Sequence, residues 1–202
     1  MHILILPTDF PTEFTPSSSI FTINQAKALK TQGIIVNAIF PFQRSIRTIL
    51  KGHLRRNLFS SKIIIIHGIK TYINYGWNIP RLSRQLYYLQ AKLLLKKYIK
   101  QEGKPDIIHA HFSIWAGDAA VKLSKLFNIP VVITEHCSAF PKKTFSKRKL
   151  IIANNAFTNS DCNIAVSDYL KHSIIKQVSS KSEFKIIPNV VNTDFFIRTP
   201  AK

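Results

Sequence analysis

The sequence predicts an α/β fold with a doubly wound, mostly parallel sheet and helices on both faces, and three observations carry that prediction. Short β-branched apolar runs alternate with stretches of helical period, the pattern of repeated strand-helix-strand units. Several of those runs are apolar throughout, which fits strands covered on both faces. At 202 residues and 46% hydrophobic content the chain is large enough to bury such a sheet.

The elements follow in order. Residues 2–6 read as the first strand, and after a polar Pro/Ser/Thr loop residues 20–31 have helical spacing and stop at Gly33, a helix C-cap. Residues 34–40 and 63–66 are predicted as further buried strands, with a basic segment, 44–62, between them. A long helix is expected from Pro80, with Leu82, Leu86, Leu89 and Leu93 on one face and basic residues on the other. Residues 106–111 then read as strand, 119–127 as helix and 131–134 as strand, punctuated by Pro105, Gly117 and Pro130. The pattern repeats once more: helix 151–159, strand 163–166, helix 168–177 and a last strand, 184–187, before Pro188.

Composition excludes several classes. With 19% charged residues, 6 glycines and 10 prolines, the chain is neither disordered nor collagen-like. Its apolar runs are far shorter than the roughly 18 residues that cross a bilayer. The first residues, Met1 to Leu6, carry no basic leader before Pro7, so a cytosolic protein is expected. Cys137 and Cys162 cannot make a disulfide framework and read as small buried thiols. The outlier is a net charge of +19, which implies a polyanion nearby: nucleic acid, an anionic membrane surface or a phosphorylated substrate.

In open parallel sheets, ligands bind beyond the carboxyl ends of the strands. Three polar clusters fall there. The loop 7–19 ends in Ser17, Ser18 and Ser19, which precede a helix N-terminus able to favour an anion, or act simply as caps. In residues 106–112, period-2 alternation puts His109 and His111 on one face, with His111 nearer the strand tip and therefore the candidate for proton or hydrogen-bond chemistry. Thr134, Glu135, His136, Cys137 and Ser138 end the next strand, beside the second cluster. His-x-His with His136 and Glu135 allows a metal-dependent hydrolase as an alternative, but no further ligand motif accompanies it and no metal is expected. No two of the glycines form G-x-G, so a nicotinamide site and a P-loop are both excluded.

Three stretches carry a resemblance: residues 106–112 with Gly117, residues 129–136, and residues 187–196, which read Ile-Pro-Asn-Val-Val-Asn-Thr-Asp-Phe-Phe. In this order and spacing the chain resembles the N-terminal half of retaining glycosyltransferases of the GT-B fold, glycosyltransferase family 4. The resemblance implies a Rossmann-like acceptor-binding domain over 1–188 and the start of an interdomain hinge over 189–202, the donor-binding domain not being part of this chain. That second domain would grip the nucleotide-sugar through a glutamate-x7-glutamate motif, which this chain does not contain, so the chain alone is expected to be inactive. His111 matches the family's cleft histidine and is the candidate catalytic residue. The candidate substrate contacts are Ser17, Ser18, Ser19, Glu135, His136 and Asn189.

The expected donor is a nucleotide-diphosphate sugar, with no cofactor, and the expected acceptor a glycan or lipid-linked molecule in cell-surface polysaccharide synthesis. Between residues 41 and 62, Arg44, Arg47, Lys51, Arg55 and Arg56 are interleaved with large apolar side chains and without an acid. Such a segment suits anionic headgroups at the inner face of the cell membrane. A basic nucleic-acid-binding protein is the other alternative, although no RNA-binding aromatic motif is present and no specific nucleic acid is expected.

Overall fold

The computed structural model describes residues 1–12, 15–45, 61–178, 182–191 and 193. Its elements are β1 (His2–Pro7), α1 (Ile20–Thr31), β2 (Ile35–Ser45), β3 (Ser61–Ile66), β4 (Ile69–Asn78), α2 (Ser83–Glu102), β5 (Ile107–His111), α3 (Asp118–Phe127), β6 (Val131–Glu135), α4 (Lys147–Thr158), β7 (Cys162–Ala165), α5 (Asp168–Ile175) and β8 (Phe184–Ile186). All eight strands form one sheet, ordered β3-β4-β2-β1-β5-β6-β7-β8, and every pairing is parallel except β3 with β4. The predicted fold class is the one observed.

Alternation along the strands sorts the interior into two layers. Leu4, Leu6, Ile108, Ala110, Val131 and Ile133 pack with residues of α2, α3, α4 and α5. Ile5, Val36, Ala38 and Phe40 pack with Ile23 and Ala26 of α1. Right-handed crossovers explain the split: the chain steps from β1 to β2 in one direction and from β5 to β8 in the other, so α1 lies on the opposite face from α2–α5. The direction reverses between β1 and β5. This is a switch point, where an α/β sheet opens a crevice at its carboxyl edge.

Two sequence expectations are corrected. The isoleucine run at 63–66 is not a strand covered on both faces: β3 is an antiparallel edge strand, with Ile63 42% and Ile65 68% exposed. A two-residue turn, His67-Gly68 with φ of 48° and 86°, joins it to β4, and such a turn needs no crossover helix. The face of α2 opposite the leucines is not basic: it carries Tyr87, Ala91, Leu94, Leu95 and Tyr98, all buried, while Leu82, Leu89 and Leu93 are 50–61% exposed. The tyrosines can face inward because their hydroxyls find partners: Tyr87 donates to the Pro7 carbonyl at 2.7 Å and Tyr98 accepts from Asn37 at 2.9 Å.

Candidate active site

The switch point places the ends of β1 and β5 side by side, Pro7 opposite His111, and β6 follows with Thr134 opposite His111. Beyond β5 the backbone turns sharply through Ser113–Gly117. Phe112 has φ of 73° and Trp115 has φ 71°, ψ −73°, conformations that L-residues hold only when the surroundings over-determine them. The surroundings are specific. Thr8, just past β1, donates to the Ile114 carbonyl at 2.7 Å and accepts from the Ala116 amide at 3.2 Å. Gly117 completes the turn, since a Cβ there would lie 3.2 Å from the Phe112 carbonyl oxygen and 3.1 Å from Ile133.

Glu135, at the end of β6, holds the same turn from the other side. It is 1% exposed, and its Oε2 accepts from the Ser113 amide at 2.9 Å and the Ser113 hydroxyl at 2.5 Å. Its Oε1 accepts from the amides of His136 and Cys137, both at 2.9 Å. Burial pushes its carboxyl pKa up, against the pull of these four donors, and the net shift is upward.

His109, His111 and His136 form a row on the α1 face. His109 and His111 stack at 4.5 Å between centroids, and His109 Nε2 lies 2.7 Å from the Thr134 hydroxyl. His111 is fully buried; its Nδ1 lies 3.0 Å from His136 Nε2, and its Nε2 has no partner among the described residues. His136 Nδ1 lies 3.0 Å from Asn189 Oδ1, and Phe21 of α1 stacks on the His136 ring at 4.2 Å. The sequence motifs thus converge at His111, His136 and Asn189, with Glu135 directly behind them.

Burial lowers the pKa of His109 and of His136 from the usual 6.5 to about 4, and that of His111 well below 6.5. All three rings are neutral at pH 7. Between pH 6.5 and about 4 the unfolded chain therefore binds more protons than the folded one. Stability should be complete above pH 6.5 and fall through this window, by about 3 kcal/mol for His109 alone. Denaturant midpoints measured from pH 7.5 to 5 would detect it, and a flat profile over that range would refute the buried neutral row.

The serines are placed differently. Ser18 and Ser19 both donate to Asp9, the latter at 3.1 Å, and Ser17 is exposed. A carboxylate of the chain itself thus takes the hydroxyls ahead of α1, and Ser19 makes no side-chain cap despite its N-cap position. Arg44 lies over the rings of Phe42 and Tyr75, at 5.7 and 5.0 Å. Arg47, Lys51, Arg55 and Arg56 lie outside the described residues.

A cavity of about 250 Å³ opens over the carboxyl ends of β1, β5 and β6, lined by Thr8, Phe112, Trp115, Cys137, Phe145 and Lys149. A second, of about 260 Å³, shares Trp115 and Lys149 with it and adds Arg81, Arg84 and Arg148. Arg84 is committed to Asp118 through a bidentate pair at 2.8 and 2.6 Å, and Lys122 joins the same carboxylate at 2.8 Å. The larger cavity, about 460 Å³, lies by Phe42, Ile64, Ile66, His67 and Tyr75, and His109, His111 and His136 line none of these three cavities. Thr8, Ser113, Trp115 and Asp118 were not singled out from the sequence. For Thr8 a signal existed, a hydroxyl residue directly after the first strand, whereas the others depend on long-range contacts.

No three His, Cys, Asp or Glu side chains among the described residues converge on a metal position. The His-x-His pair is already engaged by Thr134 and His136, so the hydrolase alternative has no support in the geometry.

Comparison with known proteins gives a consistent picture. The Glycosyltransferase Family 4 model matches residues 19–195. TuaC of Bacillus subtilis (strain 168), named as a glycosyltransferase of teichuronic acid biosynthesis, is 30% identical over 145 residues, covering 68% of this chain and 36% of that protein. The glycosyltransferase MJ1178 of Methanocaldococcus jannaschii is 31% identical over 121 residues, covering 58% of this chain and 33% of its own. The crystal structure of Anabaena Alr3699/HepE in complex with UDP superposes with a TM-score of 0.65 at 20% identity, over 99% of this chain and 47% of that one. The matched stretches thus cover about a third of each of the two curated relatives and about half of the HepE chain, and neither the nucleic-acid nor the hydrolase alternative gains from these matches.

Proposed function

We propose, from the premise that this chain belongs to glycosyltransferase family 4, that it forms the acceptor-side half of a retaining enzyme transferring a sugar from a nucleotide-diphosphate sugar to a glycan or lipid-linked acceptor. In this reading 1–188 is the acceptor domain and 189–202 leads into the hinge. The donor half corresponds to the stretch of the relatives that this chain does not cover. HepE was crystallised with UDP-glucose, which favours a UDP-sugar as donor, and the name of TuaC favours a cell-surface polysaccharide as product.

The observation that carries this reading is His111: a buried neutral imidazole at the switch point with an unpartnered Nε2, next in the chain to Phe112, which lines the cleft together with Trp115 and Lys149. It would take a hydrogen bond from a sugar hydroxyl near the reacting carbon. In the longer protein that contains both halves, His111→Ala should lower kcat at least about tenfold, or 1.4 kcal/mol of transition-state stabilisation, with the fold intact. The same change at His109 should act mainly on stability. Unchanged kinetics for His111→Ala would assign that residue to structure.

Attachment to an anionic membrane, at the cytoplasmic face, is the second part of the proposal. The outward face of α2 supports it: Leu82, Leu89, Leu93, Lys96 and Lys100 are all exposed and fall within an arc of about 60° at the helical period. No described helix is long and apolar enough to cross a membrane. Each Lys or Arg near such a leaflet contributes about 1 kcal/mol, screened over about 8 Å at physiological salt. Cosedimentation should be strong with anionic vesicles at low salt, weak with neutral ones, and reduced when Arg44, Arg47, Arg55 and Arg56 all become Ser. Indifference to lipid charge would remove the membrane from the proposal.

A further inference from the structure

The row of rings at the switch point has a polarity, and it is set from outside the row. Each neutral imidazole carries one N–H and one bare nitrogen. The Asn189 amide presents its oxygen to His136 Nδ1 at 3.0 Å, and in that orientation, where it can only accept, the proton of His136 sits on Nδ1. His136 Nε2 is then bare and accepts, at 3.0 Å, from His111 Nδ1–H. The two rings are within 16° of parallel, with centroids 5.2 Å apart, as suits two imidazoles joined edge to edge through an in-plane hydrogen bond. His111 Nε2 is left with a lone pair. It is buried, and no described residue donates to it.

We infer that Asn189 is a positioning residue: through His136 it fixes His111 as the Nδ1–H tautomer, so that the buried Nε2 is left as an acceptor. The reverse chain, with His111 protonated on Nε2 and donation running from His136 to His111, requires the Asn189 amide to be turned so that its NH₂ donates to His136 Nδ1, an arrangement that Asn189→Asp, which can only accept, does not allow. Phe21 on the His136 ring and His109 on the His111 ring hold the two planes, so neither ring can rotate away cheaply. An acceptor at Nε2 suits an alcohol, which must lose its proton as it attacks, and does not suit a carbonyl or phosphate oxygen, which needs a donor.

The location of Asn189 gives the inference its reach. It follows Pro188 immediately beyond β8, where the Ile187 amide still bonds to the Ala165 carbonyl at 3.1 Å, and is itself exposed. On the glycosyltransferase reading, on which this part rests, that is where the chain leaves for the donor half. The tautomer of His111 is thereby tied to the position of the hinge.

The test is the tautomer itself. In 15N-histidine-labelled chain 1–202 at pH 7, long-range proton–nitrogen spectra should show both His111 and His136 with protonated Nδ1 and bare Nε2. Asn189→Ala should convert His111 wholly or partly to the Nε2–H form. Asn189→Asp, which still accepts, should retain the wild-type pattern. His136→Phe keeps the ring but removes the link and should match Asn189→Ala, and the remaining amide spectrum reports that each variant is folded. A protonated His111 Nε2 in the wild type, or a tautomer indifferent to Asn189→Ala, would overturn the inference. In the longer protein Asn189→Ala should lower kcat about fivefold with little change in KM, restored by Asn189→Asp. The expected spectra together with absence of sugar transfer would uphold the relay and count instead against the glycosyltransferase reading.

Discussion

Purified chain 1–202, incubated with UDP-glucose or another nucleotide-sugar and a glycan acceptor, should release no nucleotide and transfer no sugar above the uncatalysed rate. The site is one-sided. On the proposed reading the Trp115 cleft holds only the acceptor, and transfer requires the sugar's reacting carbon within about 3–3.5 Å of the acceptor hydroxyl, an orientation worth effective molarities of about 10⁵ M or more. A diphosphate needs backbone amides or cations converging on it. Ahead of α1 the Ser18 and Ser19 hydroxyls are turned to Asp9, a carboxylate that repels phosphate. Arg84 in the cationic cavity is bound to Asp118. The loss relative to the longer protein should therefore be several orders of magnitude, read as nucleotide release or labelled-sugar incorporation. Comparable turnover by the two proteins would show that donor and acceptor sites both lie within these residues, and the two-half reading would fall.

How much of this was legible in the sequence depends on the range of the interactions involved. The β1, β5 and β6 strands could be read because each is a continuous or alternating apolar run bounded on one side by Pro7, Pro105 or Pro130, and α1 because its period is regular up to Gly33. His109 and His111 were placed on one face by alternation alone, and the separation of Ile108 and Ala110 into the opposite layer follows the same rule. β4 was missed. Its ten residues include Lys70, Asn74, Gly76 and Asn78, and only pairing with β2 on one side and β3 on the other makes them a strand. The face of α2 read as basic is the buried one, because the tyrosines there gain partners as distant in sequence as Pro7, which no hydrophobicity ranking shows. Nor could spacing reveal the strained turn at Ser113–Gly117, whose locks come from Thr8 and Glu135, or that Asn189 would meet His136 from 53 residues away.

Glu135→Ala should destabilise the domain by about 3–5 kcal/mol, the range for removing one partner of a buried charged network. The carboxylate was singled out in the sequence as a substrate contact, yet at 1% exposure it already accepts four hydrogen bonds. Removing it strands the amides of Ser113, His136 and Cys137 and the Ser113 hydroxyl, and leaves a void beneath the turn that carries Phe112 and Trp115 in left-handed conformations. Those conformations cost about 1–3 kcal/mol each and persist only while the turn is held from both sides. For a domain of this size 1 kcal/mol corresponds to roughly 2–4 °C, so the melting temperature should drop by about 10 °C. Glu135→Gln keeps the shape and one accepting oxygen but turns an NH₂ toward two donors, and should fall between wild type and Glu135→Ala. Were Glu135 chiefly a substrate contact, both variants would melt with the wild type and lose only turnover. Thermal denaturation of the three proteins, followed by circular dichroism before any kinetics are measured, separates a carboxylate that builds the cleft from one that binds in it.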